Sequence, residues 1–317
     1  MRRCSPASLS AASAGRPHLL YSLTKSFTSV AVGLAIGDGL LSLDDRVVDV
    51  LPDHVPAGIG ERGRSVTVHH LLSMTCGHPT DSLAEAWQLE TGRPGQRLSA
   101  GTVPRTRRNT ARLRQRDHVL LARMVDRVTG RGLPELLDER LFAPIGIDHA
   151  EWDRVASGAA FGFHGLHLTT EAVAAFGELL RREGRWGGRQ LVPRDWVRLA
   201  TRRHIETRPA EIGAGGADFL CGYGYQFWMS RHGYFGNGAN GQQCIVVPEH
   251  DLVVAMTCAT VDLFVADLYV VTTPHRVRLV VDAEAGTAVA TWNTVPLTTP
   301  DLTLHLRSPL MTRPDVA

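Results

Sequence analysis

Lysine is almost missing from this chain of 317 residues: of its 34 cationic side chains, 33 are arginine, and Lys25 stands alone. Long apolar runs are missing too. No stretch approaches the roughly 20 consecutive apolar residues that a membrane helix needs, so no membrane partner is expected. The opening MRRCSPASLSAASAG lacks the apolar centre of a secretory leader, so the chain as written is expected in the cytoplasm, while an N-terminus that reads as truncated leaves its native location open. Strong charge is lacking, since the net value is +2, and this selects no particular partner. The five cysteines (Cys4, Cys76, Cys221, Cys244, Cys258) are odd in number and lack metal-type spacing. They are expected as reduced, buried thiols rather than a disulfide framework. No repeat recurs at a fixed period.

What is present gives Lys25 a meaning. Where arginine has taken every other cationic position, a retained lysine points to a property arginine lacks. Arginine cannot give up its proton in a protein, whereas lysine can be driven neutral by burial and nearby charge. The surrounding text reads Tyr21-Ser22-Leu23-Thr24-Lys25-Ser26-Phe27, then VAVGLAIGDGLLSLDD. Phe27, Val30, Ala31, Leu34 and Ala35 recur at helical spacing, so a buried helix is predicted to open near Ser22 and end around residues 37–39. Ser22 and Lys25 then lie one turn apart on one face, at a helix N-terminus that favours developing negative charge. That suits a hydroxyl nucleophile beside a lysine able to accept its proton.

HLLYSLTKSFTSVAVGLAIGDGLLSLDDRVVDVLP resembles the first catalytic motif and central helix of the serine β-lactamase and penicillin-binding-protein superfamily. TVHHLLSMTCGH, LLARMVDRVTGRGLPELLDERLFAPIGI, FGFHGLHLTTEAVAAFGELLRREGRWGGRQLVPRDWV and GYFGNGANGQQCIVVPEHDLVVAMT resemble its later blocks, so the likeness covers most of residues 17–260. The subgroup that reads nearest holds esterases, D-amino-acid-peptide hydrolases and 6-aminohexanoate-dimer hydrolases. The resemblance implies an α+β fold: an antiparallel sheet flanked by helices, a helical part beside it, and an active site between the two. It also makes the turn GNGANGQ (residues 236–242) the family's third motif. Ala239 would then share an oxyanion hole with the N–H of Ser22, with Gly238, Asn240 and Gly241 as substrate contacts. Asn240 stands where the family often has an aromatic residue or histidine.

The residues support the same fold class without the family. Helical patterns dominate residues 24–40, 118–130, 134–143, 170–183 and 194–202, while strand-like text (YGYQFW, QQCIVVP, DLVVAMT) is concentrated after residue 220. Helices first and strands late is the order of α+β, not of an alternating parallel sheet. Tyr223, Tyr225, Phe227 and Trp228 alternate in strand text, so about half of them are expected in the core. Trp228 and Tyr234 are expected to pack rather than line a substrate pocket. Asp44 and Asp45 read as a turn. His69, His70, His78, His164 and His167 form no ligand motif.

The departures from the family are as informative. Its middle motif, Tyr-x-Asn or Ser-x-Asn, belongs just before LLARMVDRVTG, yet no tyrosine occurs between Tyr21 and Tyr223. Residues 91–117 hold eight arginines (93, 97, 105, 107, 108, 112, 114 and 116) and no aromatic residue. A basic loop for phosphate-bearing ligands or nucleic acid is one reading, but interleaved aromatics and a binding module are lacking. A shifted reading frame is preferred. Residues 112–119 can be written CGT CTA CGA CAA CGC GAC CAC GTA; read one base later this gives Val-Tyr-Asp-Asn-Ala-Thr-Thr-Tyr and restores the motif. Only 21 residues precede Ser22, so the family's first strands are expected to be missing, leaving the sheet with an exposed edge.

These readings divide the chain into a hydrolase domain at 17–266 and a strand-rich segment at 267–317, the latter either a small β appendage of two or three strands or another altered frame. The expected activity is hydrolysis of a small-molecule ester or amide through an acyl-enzyme on Ser22, with Lys25 as base, no metal or organic cofactor, and impaired turnover. An inactive homologue or damaged gene product is the alternative; a nucleic-acid binder is the third reading. Substrate identity and oligomeric state stay open.

Overall fold

In a computed structural model, residues 16–55, 58–76, 115–154, 158–208 and 217–258 are described, together with the backbone of strands at 265–272, 276–282 and 287–292. Side chains at 115–118 and in those last strands lie outside the description.

The centre of the molecule is helix α1 (Thr24–Gly37), in which every residue from Thr24 to Ala35 is buried. An apolar helix with small polar residues and no exposed face can only be a core element. It lies against the strand at Gly233–Gly238 of the main sheet and, among the described residues, against α3 (Gln115–Thr129), α4 (Leu133–Leu137), α6 (Arg194–Ala200) and the turn at Tyr21–Leu23. Gly33 permits the α6 contact, because a Cβ there would overlap the indole ring of Trp196. The short helix α2 (Val68–Leu72) packs on α3.

The main sheet is an antiparallel meander in which consecutive strands pair in order, from β6 (Trp228–Ser230), β7 (Gly233–Gly238), β8 (Gln242–Val247) and β9 (Leu252–Cys258) to β10 (Val265–Thr272), β11 (Arg276–Asp282) and β12 (Thr287–Trp292). Alternation in β8 and β9 places Cys244, Val246, Val253 and Ala255 inside. Helix α5 (Thr170–Arg181) covers β8 to β10, and Gly177 lets it approach so closely that a Cβ would come within 2.9 Å of the Cys244 sulfur. Thr169 caps α5 by accepting the Ala172 N–H at 3.1 Å. The α+β class and helix-flanked antiparallel sheet expected from the sequence are what the structure shows. The segment after residue 264 contributes three strands, and β10 occupies the long edge of β9. Residues 1–15, where the family's first strands were sought, lie outside the described residues.

A second, three-stranded sheet joins β1 (His18–Leu19), β2 (Glu151–Trp152) and β3 (Leu166–Leu168), in the order β1-β3-β2, and β4 (Arg185–Trp186) pairs with β5 (Arg189–Gln190) in a separate two-stranded ribbon. It ties the chain just before α1 to the loop before α5.

One local expectation is corrected. YGYQFW is not a strand, for only Trp228 enters β6. Gln226 takes φ +70, a left-handed conformation that ends extended pairing and folds Tyr223 back to bridge Trp228. Both sides of this bend are covered, so Tyr223, Tyr225, Phe227 and Trp228 are all buried rather than half of them. Trp228 and Tyr234 pack in the interior, as expected. Cys76, Cys244 and Cys258 are buried, Cys221 is half-buried, and all four are unbridged thiols.

Candidate active site

The chain enters α1 through a tight 3-10 turn at Tyr21–Leu23, closed by the Leu23 N–H donating to the Leu20 carbonyl at 3.1 Å. Tyr21 adopts φ +47. A bulky residue in that region stores about 1–3 kcal/mol and persists only where its surroundings over-determine it. Here they do. The Leu20 N–H donates to Leu166 at 2.8 Å, the Leu166 N–H reaches the Thr24 hydroxyl at 3.4 Å, and the Thr28 hydroxyl donates to the Gly162 carbonyl at 2.6 Å. Ser22 follows Tyr21 and is half-buried; Lys25, three places on, is 2% exposed. The predicted helix opening is therefore a 3-10 turn leading into α1, with Ser22 on the turn and Lys25 in the first turn of the helix.

The glycine turn meets this element from the sheet. β7 ends at Gly238, the turn Ala239–Gly241 follows, and Gly238 pairs with Gln242 in β8. A Cβ on Gly238 would overlap the Leu20 carbonyl oxygen and come within 3.1 Å of the Leu23 nitrogen. Two residues earlier, a Cβ on Gly236 would come within 2.7 Å of the Ser26 hydroxyl and overlap Leu23. Glycine at both places lets the strand backbone lie directly on the turn that carries Ser22. Ala239 is exposed, Asn240 and Gly241 are half-buried, and Asn240 takes the left-handed conformation at φ 59. Gln242, fully buried, braces the turn by donating to the Asn240 and Cys258 carbonyls at 3.1 and 2.8 Å.

The sequence reading missed a third contributor, Gln226. Its side-chain amide donates to Leu72 at 2.7 Å and Leu71 at 3.3 Å, and its backbone carbonyl accepts the Ser26 hydroxyl at 2.9 Å. It joins α2, α1 and the sheet at one buried point; a lone glutamine between aromatic residues carries no local signal of that role. Beside it, Tyr225 hydrogen-bonds His69 at 2.6 Å and stacks on His204 at 3.8 Å. Burial is the largest influence on both imidazoles and holds them below the usual histidine range. The turn expected at Asp44 and Asp45 is present, with the Ser42 N–H donating to Asp45 at 2.8 Å. The arginine-rich segment and the place of the middle motif lie outside the described residues, apart from helical backbone at 115–117. His78 lies outside them as well.

Comparison with known proteins matches the chain to a family model described as Beta-lactamase over residues 9–268. The chain belongs to the Beta-lactamase family. Family membership places it in the superfamily of β-lactamase-like and penicillin-binding-protein-like serine hydrolases. Among similar sequences, penicillin-binding protein 4 of Amycolatopsis lactamdurans is 28% identical over an alignment covering 74% of this chain and 70% of that protein. Among solved structures, a Bacillus anthracis protein provisionally described as a 6-aminohexanoate-dimer hydrolase superposes with a TM-score of 0.57 at 19% identity. That match covers 74% of this chain and 64% of the other, so the chain spans less than two thirds of that protein's length. A penicillin-binding-protein homologue from Caulobacter crescentus gives 0.54 at 18% identity, covering 74% and 75%. At these identities the structural likeness is one of fold. Among the described residues, no helix is long and apolar enough to cross a membrane.

Proposed function

We propose that this Beta-lactamase family member hydrolyses small-molecule esters or amides through an acyl-enzyme on Ser22. The observation that carries the reading is the seating of Gly238 on the Tyr21–Leu23 turn, which brings the Ala239–Gly241 turn beside the serine. The N–H groups of Ser22 and Ala239 would receive the tetrahedral oxyanion, while Gly238, Asn240 and Gly241 would contact substrate. Lys25, buried one helical turn from Ser22, would take the hydroxyl proton and return it to the leaving group. Ser26 is the competing hydroxyl in the same segment. It is 1% exposed and already donates to Gln226, which leaves half-buried Ser22 as the reachable nucleophile.

The test is labelling of the full chain with a fluorophosphonate and a slow β-lactam, followed by peptide mapping. The adduct is expected on Ser22 and absent from Ser22→Ala. An adduct that persists in Ser22→Ala, or that maps to Ser26, would overturn the assignment. Turnover is expected to be weak, because a positioned proton-transfer group is worth about 10²–10⁴-fold and the sequence holds no Tyr-x-Asn or Ser-x-Asn before LLARMVDRVTG. That same absence favours the second reading, a homologue that acylates without turning over.

A further inference from the structure

The loop at 162–166 puts an ionisable ring against the residue that aims the nucleophile. His164 meets Tyr21 edge-on, with centroids 5.5 Å apart and planes at 82°. Phe161 and Phe163 stand 6.4 and 6.2 Å from the same imidazole. The Nδ1 of His164 is buried without a hydrogen-bond partner among the described residues, and the Asp153 Oδ2 is 3.9 Å away, too far for such a bond. The other oxygen of Asp153 lies 3.1 Å from the Nε2 of His167. Backbone holds this carboxylate close. The Asp153 N–H donates to Gly165 at 2.7 Å, and Gly165, at φ +95, has room for no side chain on that side.

We propose that His164 is a positioning residue for the nucleophile: its neutral ring holds Tyr21 in the left-handed conformation that presents Ser22, and protonation draws the ring to Asp153 and loosens that hold. A neutral imidazole is at home among Tyr21, Phe161 and Phe163. An imidazolium cannot leave a buried N–H unpaired beside a carboxylate. Closing 3.9 Å to a charge-assisted bond of about 2.8 Å moves the ring by roughly 1 Å, enough to disturb an edge-on contact. Among the described residues, the titratable groups that face His164 are Asp153, which favours its proton, His167, which opposes it, and Tyr21. Burial is the largest influence and keeps the ring neutral below the ordinary histidine range.

This inference rests on Ser22 being the nucleophile, and the experiment has an arm that does not. In the full chain labelled at histidine and tyrosine, the Tyr21 ring resonances are expected to move with the protonation of His164 as pH falls below the ordinary histidine value of about 6.5. A Tyr21 signal that ignores His164 overturns the contact, whether or not Ser22 reacts. In the second arm, Ser22 labelling by fluorophosphonate should show an acid limb with the same midpoint. His164→Phe, whatever its rate, should lose that limb, and Asp153→Asn should move it to lower pH by removing the group that favours the proton. His164→Ala should slow labelling by about 10- to 100-fold above the midpoint, the cost of a nucleophile misplaced by an ångström or less, and by less below it, where the protonated ring of the native chain has already released Tyr21. An unchanged acid limb in His164→Phe would sink the proposal. If the Tyr21 arm holds while Ser22 labels in no variant, the hydrolase reading fails and the contact stands.

Discussion

Gly238 lies on the Leu20 carbonyl so closely that any side chain there would overlap it. This contact joins the sheet to the turn that carries Ser22, and it is backbone against backbone, so neither partner can yield as a flexible side chain would. Gly238→Ala should therefore shift the Ala239–Gly241 turn away from Ser22. The expected result is a fall of about 10²-fold or more in Ser22 labelling, comparable to losing an oxyanion donor. Labelling kinetics measured beside a circular dichroism melt would check this, and an unaltered rate in a folded variant would mean that the turn takes no part.

Lys25→Arg and Lys25→Met should both abolish Ser22 labelling. Arginine keeps the charge but cannot act as a base, and methionine fills the volume without charge. A reactive Lys25→Arg protein would show that only the cation matters.

Gly33→Ala should destabilise the fold by about 1–3 kcal/mol, because the added methyl overlaps the Trp196 ring across the α1–α6 contact. Urea unfolding gives the value. A midpoint equal to that of the native chain would mean that α6 moves aside freely.

Glu178 is a buried carboxylate, with hydrogen bonds of 2.7 Å from Arg181 and 2.5 Å from Arg182. Burial raises its pKa, but the two arginines outweigh that and hold it below the usual carboxylate range. Glu178→Gln should cost about 3 kcal/mol by leaving the nearly buried Arg181 without that partner, although Asp251 also pairs with Arg181. The destabilisation should shrink at low pH, since the native carboxylate contributes above its unfolded pKa and loses that contribution as pH falls through the folded one. A pH-independent difference would contradict this.

His69, His164 and His204 are each held below the usual histidine range, chiefly by burial. In the unfolded chain they bind protons near the ordinary value of about 6.5. Their stabilising contribution is thus complete above that pH and is lost as pH falls toward the lower folded values. The melting temperature should drop as pH falls below about 6.5, and His204→Phe, which keeps a ring over Tyr225, should reduce the drop. A flat profile in the native chain would show that these imidazoles titrate alike in both states.

The sequence by itself determined what depends on neighbours along the chain. The period of Phe27, Val30, Ala31, Leu34 and Ala35 made α1 legible, and a three-residue spacing marked Ser22 and Lys25 as neighbours at its opening, though the sequence did not show that Ser22 sits on a 3-10 turn ahead of the helix. The alternation in β8 and β9, and the glycines of the turn between β7 and β8, were equally local signals. Tertiary structure alone decided what meets across distance. Gly238 lies more than two hundred residues from Leu20 along the chain, and only the folded sheet shows why it must be glycine. The bend at Gln226 overrode the alternation of Tyr223 to Trp228, because a left-handed residue whose side chain is held by Leu71 and Leu72 cannot continue a strand. Tyr21 and His164 carry no pattern linking them; their contact follows from β1 and β3 pairing side by side. Pairing and close approach between distant segments are set by the packing of whole elements, which no window of local sequence contains.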